Sequence, residues 1–113
     1  MIVRDLVDEL GLQVHSPGNV EREVTGGYAT DLLSCAMAGA RAGNVWITLQ
    51  AHPNVVAVAS LLDLAAVLVS EGVAPDVETI ERAQENGVTV LGSPGTTYAL
   101  VARLAALGIP PGE

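Results

Sequence analysis

Residues 45–60, VWITLQAHPNVVAVAS, decide the fold. Val45, Trp46, Ile47, Thr48 and Leu49 are a β-branched, aromatic and aliphatic run, which predicts a buried strand. Pro53 then opens an apolar segment too long for a second strand. Proline suits the first turn of a helix, where its missing N–H would have no partner anyway. The chain therefore turns from strand to helix across Gln50, Ala51 and His52, and that turn carries the polar groups of Gln50, His52 and Asn54. In a parallel α/β sheet such turns lie at the carboxyl edge, where ligands usually sit.

The same alternation runs outward in both directions. Downstream, AAVLVS at 65–70 predicts a second buried strand, and Pro75-Asp76 precedes a helix with Val77, Ile80 and Ala83 inward and Asp76 as N-cap. Gly87 ends that helix, and 88–91 form a further short strand before Gly92-Ser93-Pro94. A last helix takes Leu100, Val101, Leu104 and Leu107 on its inner face. Upstream, Leu32, Leu33, Ala36, Met37 and Ala40 mark a helix that Thr30 or Asp31 would cap. Residues 2–10 carry Val3, Leu6, Val7 and Leu10 on one helical face, and 12–15 alternate like a strand. Residues 19–25, NVEREVT, fit either an edge strand or an extended connection, and leave the strand order open. Strands and helices in close succession predict right-handed crossovers and a mainly parallel sheet. The expected fold is an α/β three-layer sandwich, a single domain over residues 1–113.

Composition narrows the chemistry. A chain of 113 residues can bury roughly two-thirds of its unfolded surface. The net charge of −8 argues against nucleic acid and against an anionic membrane surface, both of which need clustered cations. There is no lysine, which removes the P-loop lysine, a Schiff-base lysine and a lysine general base. The longest apolar stretch, 55–69, is interrupted by Ser60 and Asp63 and is too short for a membrane span. With no signal-peptide pattern at the N-terminus and a single cysteine, the expected compartment is the cytoplasm.

Thr25-Gly26-Gly27 followed by YATDLLS resembles the signature segment of the DRTGG domain. VWITLQAHPNVVAVASLLDLAAVLV is similar to the body of that domain, and GVTVLGSPGTTYALVARL to its closing strand and helix, so the resemblance covers roughly residues 20–107. Where the name-giving motif has Asp-Arg, this chain has Glu23-Val24, so any role of the family's arginine is absent or relocated. The resemblance implies a freestanding member of a group of regulatory or assembly modules, often dimeric. Such modules occur beside CBS domains in nucleotide-regulated pyrophosphatases and within phosphotransacetylases. They are similar in fold to the N-terminal, non-catalytic domain of HPr kinase/phosphorylase. The catalytic power of that enzyme lies in a separate P-loop domain, and no GxxxxGK[ST] occurs here.

Three clusters are candidate ligand groups. Thr25, Gly26 and Gly27 would let a backbone approach a ligand as phosphate-cradling glycines do, or else form a tight turn needing positive φ. Gln50, His52 and Asn54 stand at a helix N-terminus, where free N–H groups and the dipole favour an anion, or else His52 or Gln50 merely caps the turn. Ser93, Thr96 and Thr97 repeat that arrangement after the last strand, with Ser93 read as N-cap and Pro94 as the first helical residue. His15, His52 and Cys35 match no zinc spacing, so no metal is expected, and Cys35 reads as a buried structural thiol.

These readings converge on a non-catalytic module that senses a nucleotide or other anionic metabolite, or mediates assembly, with no cofactor. A homodimer is expected from the resemblance and from the small residues Ala36, Ala38, Gly39 and Ala40; an unidentified protein partner is a further option. Two other classes compete. One is a small enzyme using His52 as acid or base with Asp31. The other is a purely structural subunit, in which Gln50 and His52 would be bonded to backbone.

Overall fold

Trp46 sits at the centre of the sheet and is completely buried, as its neighbours Val45 and Ile47 are to within 2 %. In the computed structural model, which describes residues 1–112, it belongs to β3 (Asn44–Thr48), whose five residues are all buried. The other strands are β1 (Gln13–Ser16), β2 (Gly26–Ala29), β4 (Ala66–Val69) and β5 (Val90–Gly92). Their order is β1-β5-β4-β3-β2. The pairs β2–β3, β3–β4 and β4–β5 are parallel, and β1 runs antiparallel to β5. The sequence leaves strand order open, and the structure closes it by using residues 26–29, after the ambiguous segment, as the edge strand. Residues 19–25 are the connection, with an isolated bridge from Ile2 to Glu23.

The period of two along each strand sends alternate side chains to opposite helical layers. Val45, Ile47, Ala66, Leu68 and Leu91 meet α1 (Val3–Leu10) and α5 (Thr97–Ala106) through Leu6, Leu10, Leu100 and Leu104. Trp46, Val67, Val69 and Val90 face α2 (Leu33–Gly39), α3 (Asn54–Leu62) and α4 (Val77–Asn86) through Ala36, Val55, Ala59 and Ala83. The result is the expected three-layer α/β sandwich. Among the described residues, no helix is long and apolar enough to cross a membrane.

Several local expectations change. Gly26 and Gly27 lie in β2 with ordinary strand dihedrals, not in a positive-φ turn. The N-cap of α5 is Thr96, whose Oγ1 accepts from the Ala99 N–H at 3.1 Å; Ser93 instead accepts from Gly95 in the turn ahead, with Pro94 inside that turn. Leu32 rather than Thr30 or Asp31 occupies the N-cap position of α2, although Thr30 Oγ1 accepts from the Leu32 N–H. On α4 the inward residues are Thr79 and Ala83, while Val77 is 72 % exposed. Cys35 is exposed, because the buried stripe of α2 is set by Ala36 and Ala40 one position on. Burial of those two alanines within the chain also takes half of the small-residue stripe out of reach of a partner.

Candidate functional site at the carboxyl edge of the sheet

Parallel strands deliver their loops to one edge, so the turns after β2, β3, β4 and β5 gather there. The turn after β3 is built from side chains that replace missing backbone bonds. Buried Thr48 donates its hydroxyl to Asp31 Oδ1 at 3.1 Å and accepts from the Gln50 N–H at 3.1 Å. Asp31 Oδ1 also accepts the Leu49 N–H at 2.9 Å, and Gln50 Nε2 donates to the Asp31 carbonyl at 3.1 Å. From below, Trp46 Nε1 donates to the Thr30 carbonyl at 2.8 Å, so the loop after β2 is tied to β3 at both ends.

The same turn is anchored to α4. The Ala51 carbonyl accepts the buried Thr79 hydroxyl at 2.6 Å and the Asp76 N–H at 3.2 Å. His52 is exposed, and its Nδ1 accepts the Asn54 N–H at 3.1 Å. The ring thus fills one of the unpaired donor positions at the start of α3. Pro53, with φ −53° and ψ −23°, takes helical dihedrals just ahead of Asn54, in keeping with its expected place in the first turn. His52 and Asp31 make no hydrogen bond to each other among the described residues, so a His–Asp acid–base pair is not assembled.

The start of α5 already holds an anion of the chain's own. Glu71, with φ of +62°, turns its carboxylate so that Oε2 accepts the Thr97 N–H at 2.8 Å. Its backbone is fixed by Glu71 N–H to the Gly95 carbonyl and Gly72 N–H to the Ser93 carbonyl. Thr97 Oγ1 shares a 2.6 Å hydrogen bond with Ser70 Oγ. Carboxylates at a helix N-terminus are favourable for the reason that bound phosphates are, so Glu71 occupies the position an external anion would take.

Thr25, Gly26 and Gly27 stand at the other end of β2. Thr25 precedes β2 and Gly26 and Gly27 open it, so they lie toward its amino end, away from the carboxyl-edge turns. There Thr25 Oγ1 donates to the Ala42 carbonyl and accepts from Asn44 Nδ2, while Asn44 Oδ1 accepts the Arg41 N–H at 2.8 Å. Gly27 N–H donates to the Pro110 carbonyl and Gly112 N–H to the Gly27 carbonyl. The structure therefore brings Gln50, His52, Asn54, Ser93, Thr96 and Thr97 to one edge and leaves Thr25–Gly27 on the opposite one.

Charge divides in the same way. Asp31, Glu71 and Asp76 stand at the carboxyl edge, while each arginine is engaged elsewhere: Arg4 with Glu21, Arg22 with Asp63, Arg82 with Glu78, Arg41 with carbonyls of residues 38–40, and Arg103 with the Glu9 carbonyl. Arg22 and Asp63 form a two-pronged pair at 2.9 and 3.0 Å, and Arg22 also reaches the Asp63 carbonyl. Hydrogen bonding to Arg22 holds the Asp63 carboxyl below its usual range and raises the guanidinium in turn. Sequence reasoning missed Glu71, Thr79 and the Arg22–Asp63 pair. For Glu71 a local signal existed in the Ser-Glu-Gly turn, but its target, Thr97, is 26 residues away.

Compared with family models and with characterised protein sequences, the chain gives no match. Among solved structures it is similar to the CBS and DRTGG domains of the regulatory region of Clostridium perfringens pyrophosphatase, complexed with the activator diadenosine tetraphosphate. The TM-score is 0.76 at 21 % identity, over 96 % of this chain and 47 % of that one. This chain thus spans about half the length of that neighbour. The five-stranded sheet and its two helical layers are a DRTGG-like fold.

Proposed function

We propose that this chain is a non-catalytic regulatory module that works by assembly. The observation that carries the reading is the closed accounting of polar groups at the carboxyl edge. Asp31, Thr48, Gln50, His52, Glu71, Thr96 and Thr97 all bond to the chain itself, mostly to backbone, and no buried side-chain polar atom lacks a partner among the described residues. Groups so committed hold a scaffold in shape. The fold similarity to a domain of a regulatory region supports the same reading. A homodimer in the cytoplasm is part of the proposal, and a heterologous protein partner is the alternative occupant. Sedimentation equilibrium tests it: the expected mass exceeds the 11.6 kDa of one chain and rises toward twice that with concentration, and a strictly monomeric chain that captures no partner sinks it.

A second reading is favoured by one observation. His52 is exposed beside Gln50 and Asn54 at the start of α3, and its Nε2 has no partner among the described residues. A nucleotide is the ligand class to test, since the neighbour of this fold was crystallised with diadenosine tetraphosphate. The carboxylates Asp31, Glu71 and Asp76 and the absence of an arginine at this edge among the described residues mean that its phosphates would need displacement of Glu71 or a counter-ion. A thermal-shift screen of nucleotides and dinucleotides settles it. A ligand at a hundred times its Kd adds about 2.7 kcal/mol of stability, and the shift should vanish in His52→Ala. No shift across the panel removes the sensing reading and leaves assembly.

A further inference from the structure

The amino end of β2 carries an arrangement that no ligand reading uses. After α5 the chain turns at Gly108, with φ of +94°, and residues 109–112 lie along the outer side of β2. Ile109 is buried in the core between the sheet and α5. The Pro110 carbonyl accepts the Gly27 N–H at 2.9 Å, and the Gly112 N–H donates to the Gly27 carbonyl at 2.8 Å, a parallel bridge centred on Pro111. Space at the contact explains Gly26 and Gly112, while a Cβ on Gly27 would make only ordinary contacts. A Cβ on Gly26 would stand 2.9 Å from Gly112 Cα, and one on Gly112 only 2.1 Å from Asn44 Oδ1. Gly26-Gly27 is thus a seat for the chain's own tail.

The chemistry of that strap is specific. In a parallel bridge the central residue turns its own N–H and C=O outward, and here that residue is Pro111, which has no N–H. The strap can pair with β2 but presents no donor there to a further strand. Without it, β2 is an unguarded edge. Residues 25–30, TGGYAT, contain no charge and no proline, the devices that normally keep edge strands apart. Alternation turns the exposed Ala29 outward along with Gly27, and the strap's two bonds both go to Gly27. Beside the strap lies an apolar cleft of about 240 Å³ lined by Tyr28, Ile47, Val101, Leu104 and Ile109. The opposite edge of the sheet, β1, is blunted differently, by a bulge between Val14 and Ser16.

We propose that residues 109–112 are a displaceable edge guard, and that a second copy of this chain takes their place by pairing its own β2 against the freed edge. The uncharged strand admits self-pairing in spite of the net charge of −8. This deepens the assembly reading by naming its surface and its control.

The test uses the full chain with Gly112→Val, which unseats the strap without removing it. At a dilution where the variant is monomeric, hydrogen exchange should show the Gly27 amide losing protection at least tenfold while β3 amides keep theirs. Sedimentation should show a mass above that of the parent at equal concentration, reversed by a peptide of residues 107–112 added in excess. Lost protection with unchanged mass overturns the proposal, and so does unchanged protection. Should Gly112→Val fail to fold, Gly108→Ala decides. It strains the φ +94° turn that leads into the strap while leaving β2 unchanged, and must raise association above the parent's; a mass identical to the parent's sinks the idea. In the parent itself, Gly27 and Gly112 amides must exchange through local opening, at least tenfold faster than those of Trp46 and Ile47; exchange only with global unfolding overturns displacement. A failure in these variants leaves the parent's own dimer mass and ligand screen untouched, so the broader reading is judged separately.

Discussion

The two ends of the parallel strands are held by different means. At the carboxyl end, exposed loops are stitched by side chains onto backbone: Asp31 onto Leu49, Gln50 onto Asp31, His52 onto Asn54, Glu71 onto Thr97. At the amino end, much of the holding is backbone on backbone, as between Gly27 and the tail, around Asn44, a nearly fully buried polar side chain. The contrast teaches where tolerance should lie. A group that bonds while wet can be replaced by water, whereas a buried one leaves its partners stranded.

Trp46 joins the two ends, and its loss should be the largest effect. Trp46→Ala removes a fully buried ring and the Nε1 donor that holds the Thr30 carbonyl, and should cost about 3–5 kcal/mol in chemical denaturation. A cost under about 1 kcal/mol would mean that the core is not packed as described. Next comes Asn44→Ala at the amino end, which strands Arg41 N–H and loosens Thr25 and should cost about 1–3 kcal/mol. Gln50→Ala at the carboxyl end should cost less than Asn44→Ala; the reverse order would break the comparison.

Glu71 sharpens the comparison within one residue. Glu71→Ala loses the cap on Thr97 and keeps a Cβ at φ +62°. Glu71→Gly loses the same cap and frees that dihedral. The alanine variant should therefore be the less stable of the two by about 1 kcal/mol in matched melts. Equal stabilities would show that the left-handed turn carries no strain.

The smallest effect is expected at Arg22–Asp63. The folded value of the Asp63 carboxyl lies below its ordinary 3.8, so the pair's contribution is present above that pH and lost as pH falls through the folded value. The pair is solvent-exposed, so the contribution is below about 1 kcal/mol and shrinks in salt. Asp63→Asn should lower stability slightly at neutral pH, and the difference from the parent should close in acid; a gap that persists at low pH would point to packing instead.

Much of this architecture is legible in the chain. The run VWITL, the proline after His52 and the spacing of Leu100 and Leu104 each report a local periodicity, and local periodicity is set by which side chains must leave water. The same logic misleads at Val77 and Cys35, where a one-position rotation of a short helix moves a residue from core to solvent. The candidate site was legible in its carboxyl-edge half, because strand-to-helix turns of a parallel sheet must share an edge. It was not legible at Thr25-Gly26-Gly27, where two glycines look alike whether they make a turn, a phosphate cradle or a seat for the tail.

The sequence by itself determined the α/β layering, the strand-to-helix turn at Gln50–His52 and the exclusion of lysine chemistry, since these depend on residue type and near neighbours. Tertiary structure alone decided that Glu71 fills the start of α5, that Arg22 meets Asp63 41 residues away, and that Gly27 pairs with Pro110 and Gly112. Those contacts join segments whose separation along the chain leaves no local pattern. They follow from the order β1-β5-β4-β3-β2, which places β2 at an edge with one side open to the tail.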